Sequence, residues 1–169
     1  MDIKSFHLRW MLKEDFSKIK EIEEQSFSNP YTLKKLKSLC HNNYNLCHTL
    51  LADDKIVGYS IMAYPYNVPE VKILRLAVNE NYRRLGCGTE ILNSLKSRLF
   101  NTGKKSSLSV VIDEYNLAGQ LYLKANKFLA VDILKNSDDF DDNVDYYLFS
   151  YDIGSYQQEC SKLRIGAVS

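Results

Sequence analysis

The sequence predicts a mixed α+β fold in which helices flank a central sheet. Strand-like runs at residues 46–52 and 56–63 are joined by a three-residue polar turn, which is typical of an antiparallel hairpin. Amphipathic stretches with helical spacing alternate with further strand-like runs. The chain has 169 residues, 45% of them hydrophobic, and this is enough to bury one sizeable core. We therefore expect a single domain.

The first half of the chain predicts a strand, two helices and three further strands. The first strand is expected at residues 6–11, and Asp15 is expected to cap the helix that follows. The apolar residues of that helix fall on one face: Phe16, Ile19 and Ile22. A second helix is expected after Pro30. The hairpin comes next, and another strand follows it at residues 71–78.

The second half of the chain continues the mixed order. A helix is expected from Thr89 onward, with Lys96 and Arg98 on its exposed face. Its apolar residues form the opposite face: Ile91, Leu92, Leu95 and Leu99. A continuous apolar run at residues 108–112 predicts a buried strand. The elements expected after it are a helix at residues 117–126 and strands at residues 128–134 and 146–151.

The C-terminal segment, residues 153–169, is polar and contains glycine, with no sustained apolar period. We therefore expect residues 1–152 to form the domain and residues 153–169 to form an irregular tail.

Charge and hydropathy exclude several classes of partner. The net charge is +1, from 22 basic and 21 acidic residues, whereas nucleic-acid binding needs a clustered basic excess. No apolar run approaches the 18 residues of a membrane span, and the N-terminal residues lack a signal-like core. We expect a cytoplasmic protein with no nucleic-acid or membrane partner. The sequence does not indicate an oligomeric state.

The four cysteines do not form a dense disulfide framework, and they are expected to be reduced. Two of them stand in Cys–His doublets, Cys40–His41 and Cys47–His48. Six residues separate these two cysteines and no second ligand cluster follows, so we expect no metal site.

A glycine loop follows the strand at residues 71–78 and precedes the helix. Glycines at a helix N-terminus let the backbone approach a ligand. The helix end also offers unpaired N–H groups and a partial positive charge. These features favour a pyrophosphate, with Arg83, Arg84 and the Thr89 hydroxyl as additional donors. The alternative is a plain strand-to-helix turn with solvated arginines.

Two common phosphate loops do not match this segment. A Walker loop needs a Lys–Ser/Thr pair after its last glycine, but Gly88 is followed by Thr89 and Glu90. The dinucleotide fingerprint needs three glycines, whereas only Gly86 and Gly88 are present.

The loop does match the Gln/Arg-x-x-Gly-x-Gly/Ala pattern of the Gcn5-related N-acetyltransferases, the GNAT superfamily. Residues 22–31 resemble a segment of the branch that acetylates ribosomal-protein alanine N-termini, RimI. Residues 114–122 are similar to a helix of that branch, and Phe128 corresponds to the Phe of its Gly-Phe ending. The resemblance covers about residues 6–152. It implies one mixed, mostly antiparallel sheet, splayed between its fourth and fifth strands and flanked by about four helices.

The resemblance implies direct transfer of an acetyl group from acetyl-CoA to an amine, with no metal and no covalent enzyme intermediate. Acetyl-CoA would be held by the strand end, the loop and one residue further along the chain. The implied residues are Leu76, Ala77, Val78, Arg83, Arg84, Leu85, Gly86, Cys87, Gly88, Thr89 and Asn116.

The catalytic positions depart from the family pattern. The resemblance places the base at Val111 and the tyrosine acid at Leu123, and neither side chain can exchange a proton. Tyr122 is the candidate acid, and Glu70 and Glu114 are candidate bases. The alternatives are solvated carboxylates and a packing role for Tyr122. That role is favoured by an apolar stripe at helical spacing: Ala118, Leu121, Tyr122 and Ala125.

The acceptor is the least constrained part of the interpretation. Phe27, Tyr31, Tyr146 and Tyr147 lie on segments that line the acceptor groove in the resembled family, with core packing as the alternative, favoured for Phe27. The branch resemblance implies a peptide or protein N-terminal amine as acceptor. A small-molecule or lysine amine is the second possibility. The substitutions at Val111 and Leu123 favour a third, a non-catalytic acetyl-CoA-binding module.

Overall fold

The computed structural model describes residues 3–135 and 144–166, which form seven strands and five α-helices. The strands are β1 Phe6–Trp10, β2 Asn45–Ala52, β3 Lys55–Ala63, β4 Glu70–Val78, β5 Ser107–Asp113, β6 Leu129–Leu134 and β7 Tyr146–Asp152. The helices are α1 Phe16–Ser26, α2 Leu33–His41, α3 Cys87–Thr102, α4 Leu117–Ala125 and α5 Tyr156–Gly166. Within these two ranges, no helix is long and apolar enough to cross a membrane.

The strands form one mixed sheet in the order β1-β2-β3-β4-β5-β7-β6. The predicted α+β class is confirmed. The described residues divide into two compact units. The first contains Met1–Asn67 and Ile73–Leu95, and the second contains Val68–Lys72 and Lys96–Ser169, each within its described part.

The first unit contains the predicted hairpin. Strand β2 pairs antiparallel with both β1 and β3. Asp53 and Asp54 form the turn with φ angles of 46° and 66°, the left-handed geometry that suits a two-residue hairpin loop. The predicted inner face of α1 packs into the core of this unit. It joins a cluster of buried core residues: Phe16, Ile19, Ile22, Leu36, Cys47, Tyr59, Ile61 and Ala77.

Asp15 is the N-cap residue of α1, as predicted, but its carboxylate makes no cap hydrogen bond to the helix. It instead accepts hydrogen bonds from the Arg9 guanidinium at 2.6 and 2.8 Å, from the Leu12 N–H at 2.8 Å and from the Thr49 hydroxyl at 3.0 Å. Burial of Asp15 opposes its ionisation, but these hydrogen bonds outweigh burial and lower its pKa. Asp15 therefore ties β1 and β2 to the start of α1.

The second unit contains an antiparallel ladder in which β7 pairs with both β5 and β6. Lys96 of α3, expected on the exposed face, is only 1% exposed. Its ammonium donates a hydrogen bond to the Asn126 carbonyl at 2.7 Å, lies 3.7 Å from the Glu159 carboxylate and sits over the Tyr151 ring. Burial lowers the pKa of Lys96, and Glu159 opposes that shift. The expectation fails because these partners come from distant segments of the chain.

The segment after Asp152 is helical rather than irregular. Tyr156–Gly166 forms α5, the fifth helix where about four were expected. The Tyr156 ring packs on Phe100 at a centroid distance of 5.6 Å, and Glu159 faces Lys96. The two contacting residues, Tyr156 and Glu159, lie within one turn of the helix. Such contacts do not require an apolar pattern along the whole helix, and the sequence pattern therefore did not predict α5.

The expected buried stripe of α4 is also wrong. Ala118, Leu121 and Ala125 are exposed, Leu121 by 68%. The buried residue of this helix is Leu123, and Tyr122 is half-buried. Because apolar residues occur all around α4, spacing alone did not identify its inner face.

The Asp15 interactions generate a stability prediction. Asp15→Asn removes the ion pair with Arg9, and we expect it to lower the free energy of unfolding at pH 7 by about 2 kcal/mol. A lowered pKa in the folded state means that the stabilisation is present above the unfolded pKa, about 3.9, and is lost as the pH falls through the folded value.

Urea denaturation from pH 7 to pH 2.5 measures this effect. We expect the two unfolding free energies to converge at the acidic end. A difference in unfolding free energy between the wild type and Asp15→Asn that does not change with pH would contradict the assigned role of the carboxylate.

Candidate functional site

The glycine loop lies in the first unit, between β4 and α3. After Val78, the Asn79 side chain accepts a hydrogen bond from the Asn81 N–H at 3.0 Å, and the Asn79 N–H donates to the Val57 carbonyl at 2.8 Å. A short 3-10 turn, Glu80–Tyr82, follows. The end of β4 is therefore fixed to β3 where the loop begins.

Two residues of the loop adopt left-handed backbone conformations. The φ angles of Arg84 and Gly86 are 61° and 83°. The Gly86 carbonyl accepts the hydrogen bond from the Glu90 N–H at 2.9 Å that opens α3. A Cβ atom built on Gly86 has nothing within 4 Å. The loop thus leaves open space beside the N-terminus of a sixteen-residue helix, an arrangement that can receive an anion.

The side chain of Arg83 is directed toward the protein rather than only toward solvent. Its guanidinium donates to the Val78 carbonyl at 3.1 Å, to the Ser26 hydroxyl at 3.0 Å and to the Gln25 carbonyl at 3.4 Å. The sequence predicted a phosphate donor at this position. In the structure, Arg83 links the loop to the last residues of α1.

Cys87 of the loop is only 1% exposed, and burial raises the pKa of its thiol. A buried thiol with a raised pKa is a poor nucleophile.

Gly58 of β3 lies beneath the strand end that carries the loop. A Cβ atom at this position would stand 2.9 Å from the Ala77 carbonyl and 3.2 Å from the Ile91 side chain. Sequence reasoning did not single out Gly58. An isolated glycine inside a strand pattern is the signal that could have indicated such a close backbone approach.

The two predicted acceptor residues of the first unit surround an arginine. Phe27 and Tyr31 lie in the connection between α1 and α2, residues 27–32, which we call the α1–α2 loop. The Arg75 guanidinium lies between their rings, 3.8 Å from the Phe27 centroid and 3.9 Å from the Tyr31 centroid. It also donates to the Asn29 carbonyl at 2.8 Å.

A buried carboxylate completes this group. Glu23 of α1 is 0% exposed and forms an ion pair with Arg75 at 3.1 Å. It also accepts hydrogen bonds from the Tyr31 N–H at 2.7 Å and from the Tyr59 hydroxyl. The Glu23 carboxylate of α1 therefore contacts residues from three other segments, namely β3, β4 and the α1–α2 loop.

Sequence reasoning missed both members of this ion pair, although each carried a signal. Glu23 follows Ile19 by four residues and so falls on the inner face of α1. Arg75 lies on the same face of β4 as Val71, Ile73 and Ala77, the three buried residues of that strand, because every second side chain shares a face. A charged residue at a buried position of either pattern indicates a paired group.

In the second unit, three residues that the sequence predicts for the site lie at one end of the β5–β7 ladder: Glu114, Tyr146 and Tyr147. The Asp145 N–H donates to the Glu114 carboxylate at 3.1 Å, and the Glu114 N–H donates to the Asp145 carbonyl at 2.8 Å. Tyr146 and Tyr147 follow at once, paired with Asp113 and Ile112. Both tyrosines are half-buried. Glu114 and the two tyrosines are therefore neighbours.

Helix α4 of the same unit carries the candidate acid. Burial raises the pKa of the Tyr122 phenol. Leu123, at the position of the expected acid, is 3% exposed in the core. Asn116 caps the helix by accepting from the Gly119 N–H at 2.9 Å.

Glu70, the other candidate base, is the first residue of β4. Its carboxylate accepts a hydrogen bond from the Ser109 hydroxyl.

The described residues contain no group of three or more His, Cys, Asp or Glu side chains that could hold a metal ion. All four cysteines are free thiols. In the doublets, His41 contacts the Lys37 carbonyl and His48 stacks on Trp10.

Comparison with known proteins identifies the fold. A relative from Methanocaldococcus jannaschii, described as an uncharacterized N-acetyltransferase, is 28% identical over 94 residues. The match covers 56% of this chain and 59% of the relative, so the chain spans less than two thirds of that relative's length. A family model described as the acetyltransferase (GNAT) family matches residues 12–128.

Two solved structures illustrate the shared architecture. The ribosomal-protein-S18-alanine N-acetyltransferase from Escherichia coli aligns with a TM-score of 0.75 at 20% identity, over 88% of this chain and 94% of that one. A spermidine N-acetyltransferase from Vibrio cholerae aligns with a TM-score of 0.74 at 12% identity, over 89% and 95%. At these identities the likeness shows the fold alone, which is that of an N-acetyltransferase. Since the family model covers more than half of the sequence, the chain belongs to the GNAT family.

The close approach at Gly58 generates a prediction. Gly58→Ala would place a methyl group against the backbone carbonyl of Ala77, which cannot move without disturbing β4. We expect the free energy of unfolding to fall by about 1–3 kcal/mol. Chemical denaturation measures it.

Gly154→Ala is the matched control, because its Cβ would meet only the Asp152 side chain, at 3.3 Å. We expect this variant to lose less than about 1 kcal/mol. An equal loss in both variants would show that the space beneath Ala77 is not limiting.

Proposed function

We propose that this chain is an acetyl-CoA-dependent N-acetyltransferase whose acceptor is the α-amino group of a peptide or protein N-terminus. The observation that carries the proposal is the loop geometry. Left-handed backbone at Arg84 and Gly86 opens a space at the N-terminus of α3, and the loop has the sequence pattern of the GNAT family. A pyrophosphate placed there would accept hydrogen bonds from main-chain N–H groups.

We assign the acetyl-CoA-binding role to the end of β4 and to the loop. The residues are Leu76, Ala77, Val78, Arg84, Leu85, Gly86, Cys87, Gly88 and Thr89. Arg83 would act mainly by fixing the loop, since its guanidinium already contacts Val78 and Ser26. Asn116 would act by capping α4.

The proposed reaction is direct attack of a neutral amine on the thioester carbonyl. The new C–N bond forms as the C–S bond breaks. The amine loses a proton and the departing thiolate gains one. Holding both reactants in attack geometry supplies much of the acceleration.

Proton transfer in this reaction needs an acid and a base. Tyr122 is proposed as the acid because it adjoins the position where the resembled family places its tyrosine. Burial raises the pKa of its phenol, which weakens it as a proton donor to the thiolate. Glu114, at the end of β5 beside Tyr146 and Tyr147, is proposed as the base, and Glu70 is the alternative.

The choice of an N-terminal amine is supported by the resemblance to the ribosomal-protein alanine branch and by the aromatic residues of the α1–α2 loop. A small-molecule amine is the second candidate. It is supported by the equally close fold of a spermidine N-acetyltransferase. A non-catalytic module is the third, because Val111 and Leu123 cannot exchange protons.

A substrate panel tests these assignments. Release of CoA thiol would be followed with acetyl-CoA and a set of peptides that differ in their first residue. Parallel reactions contain the same peptides with a blocked N-terminus and an internal lysine, or spermidine. We expect turnover only with free peptide N-termini. Turnover of spermidine or internal lysine would contradict the acceptor class, and acetyl-CoA binding without any turnover would favour the non-catalytic module.

Gly86→Val tests the loop. A valine at a φ of 83° is strained by about 1–2 kcal/mol, and its side chain would enter the open space assigned to the pyrophosphate. We expect acetyl-CoA affinity to fall at least about a hundredfold, measured by calorimetry.

Gly103→Val is the matched control. It has a φ of 62° and also nothing within 4 Å of a Cβ atom, so it brings comparable backbone strain. We expect it to bind acetyl-CoA like the wild type. Retained affinity in Gly86→Val would remove the loop from the proposed site.

A further inference from the structure

We infer that Arg75 is a positioning residue that holds the α1–α2 loop for the acceptor, through its ion pair with Glu23 and its contacts with Phe27 and Tyr31. The inference rests on the proposed function for the acceptor role of this loop. The geometry that carries it lies within the first unit.

The Arg75 guanidinium contacts the α1–α2 loop at three points along its length. The Phe27 ring covers one contact at 3.8 Å, the Asn29 carbonyl accepts at 2.8 Å, and the Tyr31 ring provides the third contact at 3.9 Å. A planar guanidinium can stack between rings and donate at its edge at the same time. A single side chain therefore defines the path of the loop from start to end.

Glu23 fixes the guanidinium in turn. Its carboxylate is fully buried and pairs with Arg75 through Nε at 3.2 Å and through a terminal nitrogen at 3.1 Å. The same carboxylate accepts from the Tyr31 N–H at 2.7 Å. Arg75 thus holds the loop through its two rings and the Asn29 carbonyl, and Glu23 holds it through the Tyr31 N–H.

The position of Arg75 in β4 connects the loop to the reaction. Arg75 directly precedes Leu76, Ala77 and Val78, the backbone assigned to the thioester. An attacking amine must come within about 3.5 Å of the thioester carbonyl. A loop bonded to the neighbouring residue of the same strand is therefore placed to line the approach of the acceptor.

The first experiment uses Arg75→Met and measures the exchange of the Tyr31 amide hydrogen in the full chain. This N–H donates to Glu23, so it reports directly on the seating of the loop. We expect exchange at least about tenfold faster than in the wild type. Arg75→Lys, which keeps the charge but loses the planar stack, should give an intermediate rate.

Arg9→Met is the matched control for general destabilisation. Arg9 also pairs with a buried carboxylate in the same unit, and its side chain is 26% exposed against 18% for Arg75. We expect Arg9→Met to leave the Tyr31 exchange rate within about twofold of the wild type once both rates are measured under native conditions.

The second experiment separates positioning from binding of acetyl-CoA. With the best peptide of the substrate panel, we expect Arg75→Met to raise the peptide KM about tenfold or more and to change the ranking of first residues. The Kd for acetyl-CoA should stay within about twofold of the wild-type value. A purely structural role would move the peptide KM and the acetyl-CoA Kd together.

The outcomes distinguish this inference from the proposed function. Unchanged Tyr31 exchange, or a peptide KM like that of Arg9→Met, would overturn the assignment of Arg75. Absence of turnover with every peptide would overturn the proposed function and the acceptor role of the loop. If Arg75→Met does not fold, two other variants test the role of Arg75. These are Arg75→Lys and the double variant Glu23→Gln/Arg75→Met, which removes both charges. Tyr31 exchange, the peptide KM and the acetyl-CoA Kd are measured for each.

Discussion

The buried carboxylate of Glu23 is the constraint on which the first unit depends. An ionised group with no solvent exposure is tolerated only when charge and hydrogen bonds compensate for its lost hydration. Here the compensation comes from Arg75 of β4, the Tyr59 hydroxyl of β3 and the Tyr31 N–H of the α1–α2 loop. Each of these groups must be in place for the others to be stable. Helix α1 is therefore positioned against the sheet by electrostatics as well as by its apolar face.

The strand and helix bounds were largely predictable because they follow from local patterns. The β2–β3 hairpin, the strand before the glycine loop and the start of α3 are all indicated by residues close together in sequence. The buried charges were not predictable in the same way. Glu23 finds its arginine 52 residues away, and Lys96 finds the Asn126 carbonyl 30 residues away. The prediction for α4 was wrong for another reason. Apolar residues lie on every side of this helix, so their spacing did not identify the buried face.

Neighbouring arginines in the loop show the limit of a motif. Arg83 and Arg84 look interchangeable in sequence, yet Arg83 spans from Val78 to Ser26 while Arg84 supplies a left-handed turn of the backbone. The motif therefore specifies the course of the main chain more firmly than it specifies what each side chain contacts. The catalytic half of the proposed site shows the same limit. A register of one residue separates Tyr122, with a protonated phenol, from Leu123 in the core.

The buried Lys96 has a consequence for the order in which the chain becomes structured during synthesis. Its carbonyl partner, Asn126, is made 30 residues later, and its carboxylate partner, Glu159, lies in the last described helix. Domains fold as their segments leave the ribosome, the N-terminal part first. The first unit has its own core and its own buried ion pair before α5 is translated. The Lys96 ammonium lacks its carboxylate partner until that helix emerges, so this ion pair of the second unit forms late in synthesis.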